Sequence, residues 1–515
     1  MKKIIKNKRP KKDWFRIKKY PHISLQLNYQ SRRKIYSYIK DEQNITSHAF
    51  SPFIHRKLKV RKFRKEICHD GTRSKLRKPS EKIREIYYSN HLDSVIYSFY
   101  SDLLLKKYED SVKARGINEC VTAYRRISLY PNNRKSRNKC NIDFANDVFS
   151  YIKNSKTNLV VATFDFKSFF DNLDHKILKK YWRDIIDSGK DLPPDHYNIY
   201  RSLTKFSYIE EEELFNEYKD KILVERNPDI IKPKSIDKYK YLKSQRAIAY
   251  CLGREIHNIR SKGLIKANKY DKENKLRIKG IPQGSPISAI LANIYMVEFD
   301  ELINDKLISL NGIYRRYSDD MIIICKIEYQ DQIQDLLTKA IDQLGLKLKI
   351  QEEKTQLFHF LYNAAENRHN CFEYNRKTSK LQNNTNFEYL GFEFDGYYTS
   401  LKKSSLANYY RKMKKSFAKS RFYTYHNRTT TKGKVFKNRL YKRFTHIGAK
   451  RRRVYQRDEK FTDRFIKTEK YDWGNYLSYA YMAARVIPNN KIKRQTRNHW
   501  KIFHQLLDEV ENLEK

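Results

Sequence analysis

The sequence predicts an α+β fold. Three observations carry that reading. Short β-branched or alternating runs recur at 160–164, 321–325, 346–350 and 387–394, the pattern of strands. Helical periods fall between and after them, at 86–108, 287–294, 331–344, 406–420, 476–486 and 492–513. The acids that stand out, Asp165 and the pair Asp319-Asp320, sit where strands end or turn.

Residues 1–80 are strongly basic and read as an N-terminal extension. From 81 to 156 helical patterns dominate, Ile86 to Tyr108 among them. Val160-Val161-Ala162-Thr163-Phe164 reads as a buried strand with Asp165 at its end. A lone acid there usually caps the next helix, but Ser168 or Asp171 is placed to do that, which leaves Asp165 for other work. The charged stretch near 205–275, with Glu210-Glu211-Glu212-Glu213 and the run from Lys232 to Lys243, reads as an insertion.

Gly280-Ile281-Pro282-Gln283-Gly284-Ser285-Pro286 leads into a helix with two unlike faces. Ile287, Ile290, Leu291 and Ile294 make its apolar face. Ser285, Ser288, Ala289 and Ala292 make a face of small residues, which suits either close packing or the approach of a nucleic-acid backbone. Tyr317-Ser318-Asp319-Asp320 then lies between Tyr314-Arg315-Arg316 and the apolar Met321 to Cys325. Adjacent acids repel, and a divalent cation is the simplest neutraliser of a buried pair. An exposed Asp-Asp turn is the alternative. A helix over 331–344, a strand over Leu346-Lys347-Leu348-Lys349-Ile350, Lys354-Thr355, and an alternating stretch from Phe387 to Phe394 closed by Asp395-Gly396 follow. Beyond 400 the pattern is helical and basic.

Taken in order, Phe164-Asp165, Phe169-Phe170-Asp171 with Asp174-His175, Pro282 to Pro286, Tyr317 to Asp320, Lys354-Thr355 and Tyr389-Leu390-Gly391-Phe392 form the run of motifs seen in reverse transcriptases. The chain resembles that family over residues 85–400 and more loosely beyond. Among its members it is most similar to bacterial retron, group II intron and phage-defence enzymes. Ala123-Tyr124-Arg125-Arg126, Asn475 to Ala480 and Ile492 to Trp500 resemble the defence group most. Ser318 stands where that family most often has alanine, and no Cys/His endonuclease module or ribonuclease H constellation follows the polymerase motifs.

The resemblance implies a right-hand polymerase. Fingers begin at 81–156, palm and remaining fingers occupy 157–400 with the insertion inside them, and a helical thumb and C-terminal region occupies 401–515. It implies RNA-directed DNA synthesis on an RNA template, with deoxynucleoside triphosphates consumed and DNA produced. A cognate noncoding RNA, homo-oligomers and a role in antiviral defence are implied by the defence group. A retron or intron-type enzyme is the alternative within the class. An RNA-binding protein with a vestigial polymerase site is the alternative outside it.

The chemistry suits the residues. Nucleotidyl transfer uses two Mg²⁺ ions, and Mg²⁺ takes one or two carboxylates plus phosphate and water. Asp165 and Asp319 are the candidate bridging ligands and Asp320 the auxiliary acid. By resemblance, Phe170 is the steric gate against a ribose 2′-hydroxyl, with Phe169 or Phe170 also a core residue. Gln283 and Gly284 pack against the incoming nucleotide, and Lys354 lies near the leaving pyrophosphate. Arg125 and Arg126 hold the triphosphate, and the hairpin Tyr389 to Phe392 is the primer grip.

Lys and Arg number 108 against 59 Asp and Glu, a formal charge of +49. That excess attracts polyanions. Of the 40 tyrosines, Tyr409, Tyr410, Tyr423 and Tyr425 lie in a basic context, where a hydroxyl suits protein priming of the kind the defence enzymes imply. The six cysteines are scattered without a Cys-x-x-Cys pair, which fits free thiols in a reducing compartment. Cys68-His69 and His369-Asn370-Cys371 are at most zinc half-sites. No apolar run reaches membrane-spanning length, and the expected setting is cytoplasmic.

Overall fold

The computed structural model describes residues 14–512 except 29, 68–72, 134–135, 228–229, 269–274, 384, 427–434, 450–452, 458–464 and 472–473. Cys68 and His69 lie outside the described residues, as does the extreme N-terminus through residue 13. The chain forms two compact units. One comprises Pro10–Arg125 and Ala162–Gln356, the other Arg126–Val161 and Leu357–Lys515.

In the first unit, much of the stretch expected to be a loose extension is folded. Phe15, Ile23, Ile35, Ile39 and Ile45 are buried, and helices run over Arg32–Lys40 and Glu42–Thr46. Phe53–Ile67 and Arg73–Tyr88 pair as a long antiparallel ribbon, in register from Ile54↔Tyr88 to Lys65↔Arg77, with a register shift before Ile67↔Arg73. The ribbon replaces the helix expected from Ile86. That helix starts instead at His91 and runs to Ala114, with the Asn90 side chain accepting from the Leu92 amide. Lys- and Arg-rich strands lack the apolar alternation that signals a half-buried strand, so their sequence reads as a charge run.

The insertion is a small folded body. Ile222–Asn227 is the central strand between Ile230–Lys234 and Ala247–Ala249, and the helix Glu211–Tyr218 packs beside it. Its core includes Leu214, Phe215, Ile222 and Tyr250, together with Ile23 and Ile54 from the front of the chain. The acidic run is largely paired rather than simply solvated. Glu211 is buried and accepts from the Tyr88 hydroxyl at 2.5 Å and the Tyr250 hydroxyl at 3.2 Å. Glu210 bonds His55 at 3.0 Å.

The strand ending at Asp165 lies beside Asp320–Lys326, which pairs antiparallel with Ile313–Tyr317. The helices Ser288–Tyr295, Val297–Ser309 and Gln330–Gln343 complete this part. Of the expected strand 346–350, only Ile350 bridges, to Phe166, and the rest is irregular.

In the second unit, Gln356–Asn363, Arg368–Asn375 and Lys380–Gln382 form antiparallel strands. Phe387–Tyr389, Phe392–Phe394 and Thr399–Leu401 form a separate meander. Phe149, Phe360, Phe387 and Phe394 pack together. The helices Lys403–His426, Lys437–Phe444, Tyr476–Val486 and His499–Glu511 surround a core containing Met413, Phe417, Leu477 and Phe503. No helix among the described residues is long and apolar enough to cross a membrane.

Candidate active site

Asp165 ends a buried strand and is itself buried. The following turn runs through Ser168, at φ +48°, into a short 3₁₀ segment, Phe169–Asn172. Neither Ser168 nor Asp171 caps the next helix. Asp174 does, accepting from the amides of Lys176 at 2.8 Å and Ile177 at 3.1 Å. Asp165 therefore has no capping duty. Its Oδ2 pairs with the Lys354 ammonium, and its Oδ1 is buried without a hydrogen-bond partner.

The Phe169-Phe170 pair divides as core and surface. Phe169 is buried against Phe166, with ring centroids 5.6 Å apart. Phe170 is half-buried, and its carbonyl accepts from the Ile281 amide at 3.0 Å. The Gly280 amide donates to Leu173 at 2.8 Å, and His175 Nε2 bonds the Gly280 carbonyl at 2.8 Å. The root of the basic ribbon joins the same loop, where the Tyr87 amide donates to the Gln283 carbonyl at 2.8 Å. Gly284 has φ +120°, and a Cβ on it would lie 2.7 Å from the Tyr87 carbonyl oxygen. Only glycine fits there. Backbone bonds thus knit three segments, far apart in sequence, around Gln283 and Gly284.

The helix that follows does not offer its small face to solvent. Ser285, Ser288 and Ala292 are buried and Ala289 is half-buried, while Ser288 Oγ donates to the Pro282 carbonyl at 2.7 Å. Close packing within the protein accounts for most of this face.

Ser318 and Asp319 form a two-residue hairpin turn, and Asp320 opens the next strand opposite Tyr317. Asp319 is half-buried and Asp320 exposed. Ser318 sits at φ +63°, where such a turn prefers glycine. Beneath it lies a network that the sequence did not announce. Arg316 is fully buried and binds Asp300 through two bonds, Nε to Oδ1 at 2.8 Å and Nη2 to Oδ2 at 2.6 Å. Its Nη1 donates to the Ser318 carbonyl at 3.1 Å and to Asn293 Oδ1 at 3.2 Å. Burial opposes the guanidinium charge, but Asp300 outweighs it and holds the Arg316 pKa above the ordinary value. Tyr314 also donates to Asp300, at 2.8 Å. The only sequence hint was an arginine inside an alternating strand, at a position facing the core.

The Arg125 side chain is buried and committed. It bonds Glu109 through Nε at 3.0 Å and Nη2 at 2.6 Å, and it also bonds Asn118 and the Val121 carbonyl. A triphosphate would have to displace these partners. Arg126 is exposed and is counted with the second unit. The hairpin Phe387–Tyr389 with Phe392–Phe394 is also in that unit, with Tyr389 and Phe392 buried. Of the four tyrosines, Tyr409 is buried and donates to Phe444, and Tyr425 donates to Val510. Tyr410 is half-buried, and Tyr423 is exposed with the Lys419 ammonium 5.5 Å from its ring centroid. His369 Nε2 bonds the Thr157 carbonyl at 3.0 Å.

Among the described residues no three His, Cys, Asp or Glu side chains stand close enough to hold a metal ion by themselves. What remains is a pair of carboxylate-bearing segments on neighbouring strands, one with a buried oxygen that no protein donor satisfies. That suits Mg²⁺, which completes its shell with water and substrate phosphate. It does not suit a closed all-protein site.

Residues 234–394 match the family model described as reverse transcriptase (RNA-dependent DNA polymerase). No curated protein matches the chain. Among solved structures, the chain is similar to apo telomerase from Candida tropicalis, at 13% identity and a TM-score of 0.32, covering 72% of this chain and 56% of that one. A form of that telomerase truncated from its C-terminal domain matches at 12% identity and a TM-score of 0.31, covering 69% and 60%. Telomerase from Candida albicans in complex with a fragment of telomeric RNA matches at 12% identity and a TM-score of 0.36, covering 97% and 68%. The chain thus spans well under two thirds of the first two telomerase chains. Gln283, Gly284, Asp319, Asp320 and Lys354 fall inside the family match, and Asp165 and Phe170 precede it. Mixed helices and antiparallel strands with this match give the fold class as α+β, of the right-hand polymerase type. The matched residues carry the sequence of a reverse transcriptase domain, an RNA-directed DNA polymerase and so a nucleotidyltransferase.

Proposed function

We propose that the chain copies RNA into DNA by a two-metal mechanism at Asp165 and Asp319. The observation that carries this is the buried, unpartnered Oδ1 of Asp165, at the end of a strand whose neighbour begins in the Asp319-Asp320 turn. Bound there, two Mg²⁺ would supply charge for an attacking 3′-hydroxyl and for the leaving pyrophosphate. Asp165 and Asp319 hold that charge, with Asp320 as the outer acid. The 3′-oxygen forms a bond to the α-phosphorus, the bond to pyrophosphate breaks, and the hydroxyl proton passes to water. Lys354, already beside Asp165, adds a cation near the reacting phosphates. The Gln283-Gly284 backbone forms a floor for the nucleotide, and Phe170 crowds a 2′-hydroxyl. Of the two arginines that the resemblance assigns to the triphosphate, Arg125 is engaged by Glu109.

The biological reading follows the resemblance of Tyr124-Arg125-Arg126 and of the C-terminal helices. The enzyme works in the cytoplasm with a cognate noncoding RNA, as a homo-oligomer, in defence against phage. Primer extension on an RNA template with Mg²⁺ tests the core of this, comparing wild type with Asp319→Asn. Extension by wild type alone is expected. Equal extension by both, or none by either beside tight RNA binding, would favour an RNA-binding protein with a vestigial site.

A further inference from the structure

The turn that carries Asp319 is strained, and the groups that hold it are specific. Ser318 has a positive φ, a conformation that is costly for a non-glycine residue and persists only where its surroundings over-determine it. Two contacts do so. Arg316 Nη1 donates to the Ser318 carbonyl, and the Tyr124 hydroxyl lies 3.2 Å from Ser318 Oγ. Arg316 is itself fixed from three sides. Asp300 in the helix Val297–Ser309 takes two of its donors. Asn293 in the helix behind Gln283-Gly284 takes a third and donates to the Ala123 carbonyl at 3.1 Å. The Arg316 backbone is bonded to Cys120 and Thr122. Arg316, Asp300 and Asn293 are all fully buried.

We propose that Arg316 is a positioning residue for metal binding: anchored by Asp300 and Asn293, its guanidinium holds the Ser318 carbonyl and keeps the strained turn in the form that presents Asp319. This rests on the reading of Asp165 and Asp319 as the metal pair. The device also ties the metal turn to the helix that follows the nucleotide loop. A guanidinium can bind a carboxylate through a fork and still reach two other acceptors, which a lysine ammonium at the same place cannot. Groups that orient metal ligands without touching the metal typically affect affinity tenfold to a hundredfold.

The test uses the full chain without nucleic acid. Mn²⁺ binding is followed by electron paramagnetic resonance, and amide hydrogen exchange is read over 314–322. Arg316→Lys keeps the charge opposite Asp300 but loses the fork. It should weaken Mn²⁺ binding about tenfold or more and speed exchange in the turn. Adding Ser318→Gly, which removes the cost of the positive φ, should restore a large part of both. A merely structural role for Arg316 predicts no rescue by glycine, and that result overturns the proposal. So does Arg316→Lys with wild-type binding and exchange. Should Arg316→Lys not fold, Tyr124→Phe carries the test from an exposed position. About threefold weaker binding with faster exchange supports the clamp, on the scale of one neutral hydrogen bond, and wild-type values overturn it. Asp319→Asn separates the two readings. Undiminished Mn²⁺ binding there removes the metal pair itself, whereas loss there with intact Arg316→Lys removes only the positioning role.

Discussion

The two carboxylates proposed as metal ligands are held in opposite ways. Asp319 projects from a turn clamped by a fully buried ion pair, and its backbone is strained one residue earlier. Asp165 ends an ordinary strand and faces a lysine side chain that is about a third exposed. One ligand is fixed by a rigid network, the other is balanced by a long, flexible cation. On the proposed two-metal reading, the site has one preset arm and one adjustable arm, with Lys354 paired to the adjustable one.

Removing either arm is the most severe way to break the comparison. Asp165→Asn and Asp319→Asn should each lower single-nucleotide incorporation about a thousandfold, since metal charge stabilisation is worth several kcal/mol. Near wild-type rates in a rapid-quench assay for either would contradict the pairing. Next comes the loop between the arms. Gly284→Ala meets both a positive φ and the Tyr87 carbonyl, and should cost about a hundredfold in kcat/KM. Retained activity would show that the ribbon root can move away. Lys354→Met should cost about tenfold, the scale of one charge-assisted hydrogen bond, chiefly in kcat at subsaturating Mg²⁺. A defect that is the same at all Mg²⁺ concentrations would argue against the adjustable arm.

The smallest effect at neutral pH concerns polar burial away from the site. Arg316 and Asp300 are buried as ions, whereas His22 and His91 are buried in a form that resists charging. Burial, and for His22 the nearby His91, lower the His22 pKa to about 3, and burial lowers that of His91 to about 4. The unfolded chain takes up these protons first on acidification. The stability they contribute is complete above about pH 6.5 and falls as pH drops toward 4. The thermal midpoint should decline over that window, less steeply in His91→Gln. A flat midpoint from pH 7 to 4.5 would contradict it.

The hairpin that carries Asp319 was legible because an alternating strand, a polar turn and an apolar strand leave a period that sequence displays directly. The helix after Pro286 was legible for the same reason, as was the helix Tyr476–Val486. The ribbon was not, because Lys and Arg occupy positions where a strand normally signals itself with apolar residues. The sequence points to Ser168 or Asp171 as the cap, but an intervening 3₁₀ turn moves the helix start to His175 and the cap to Asp174. The Arg316 network was hidden for another reason. Asp300 and Asn293 come from helices 16 and 23 residues away, and no local pattern marks residues that meet only in the folded core.

Ile23 and Ile54 share one apolar interior with Leu214, Ile222 and Tyr250. The front of the chain and the middle insertion therefore form a single cooperative block, although more than 150 residues separate Ile54 from Leu214. Trimming either piece would uncover the other's greasy side. A shortened version cut down to the polymerase motifs would be expected to aggregate, and the smallest soluble fragment should retain both.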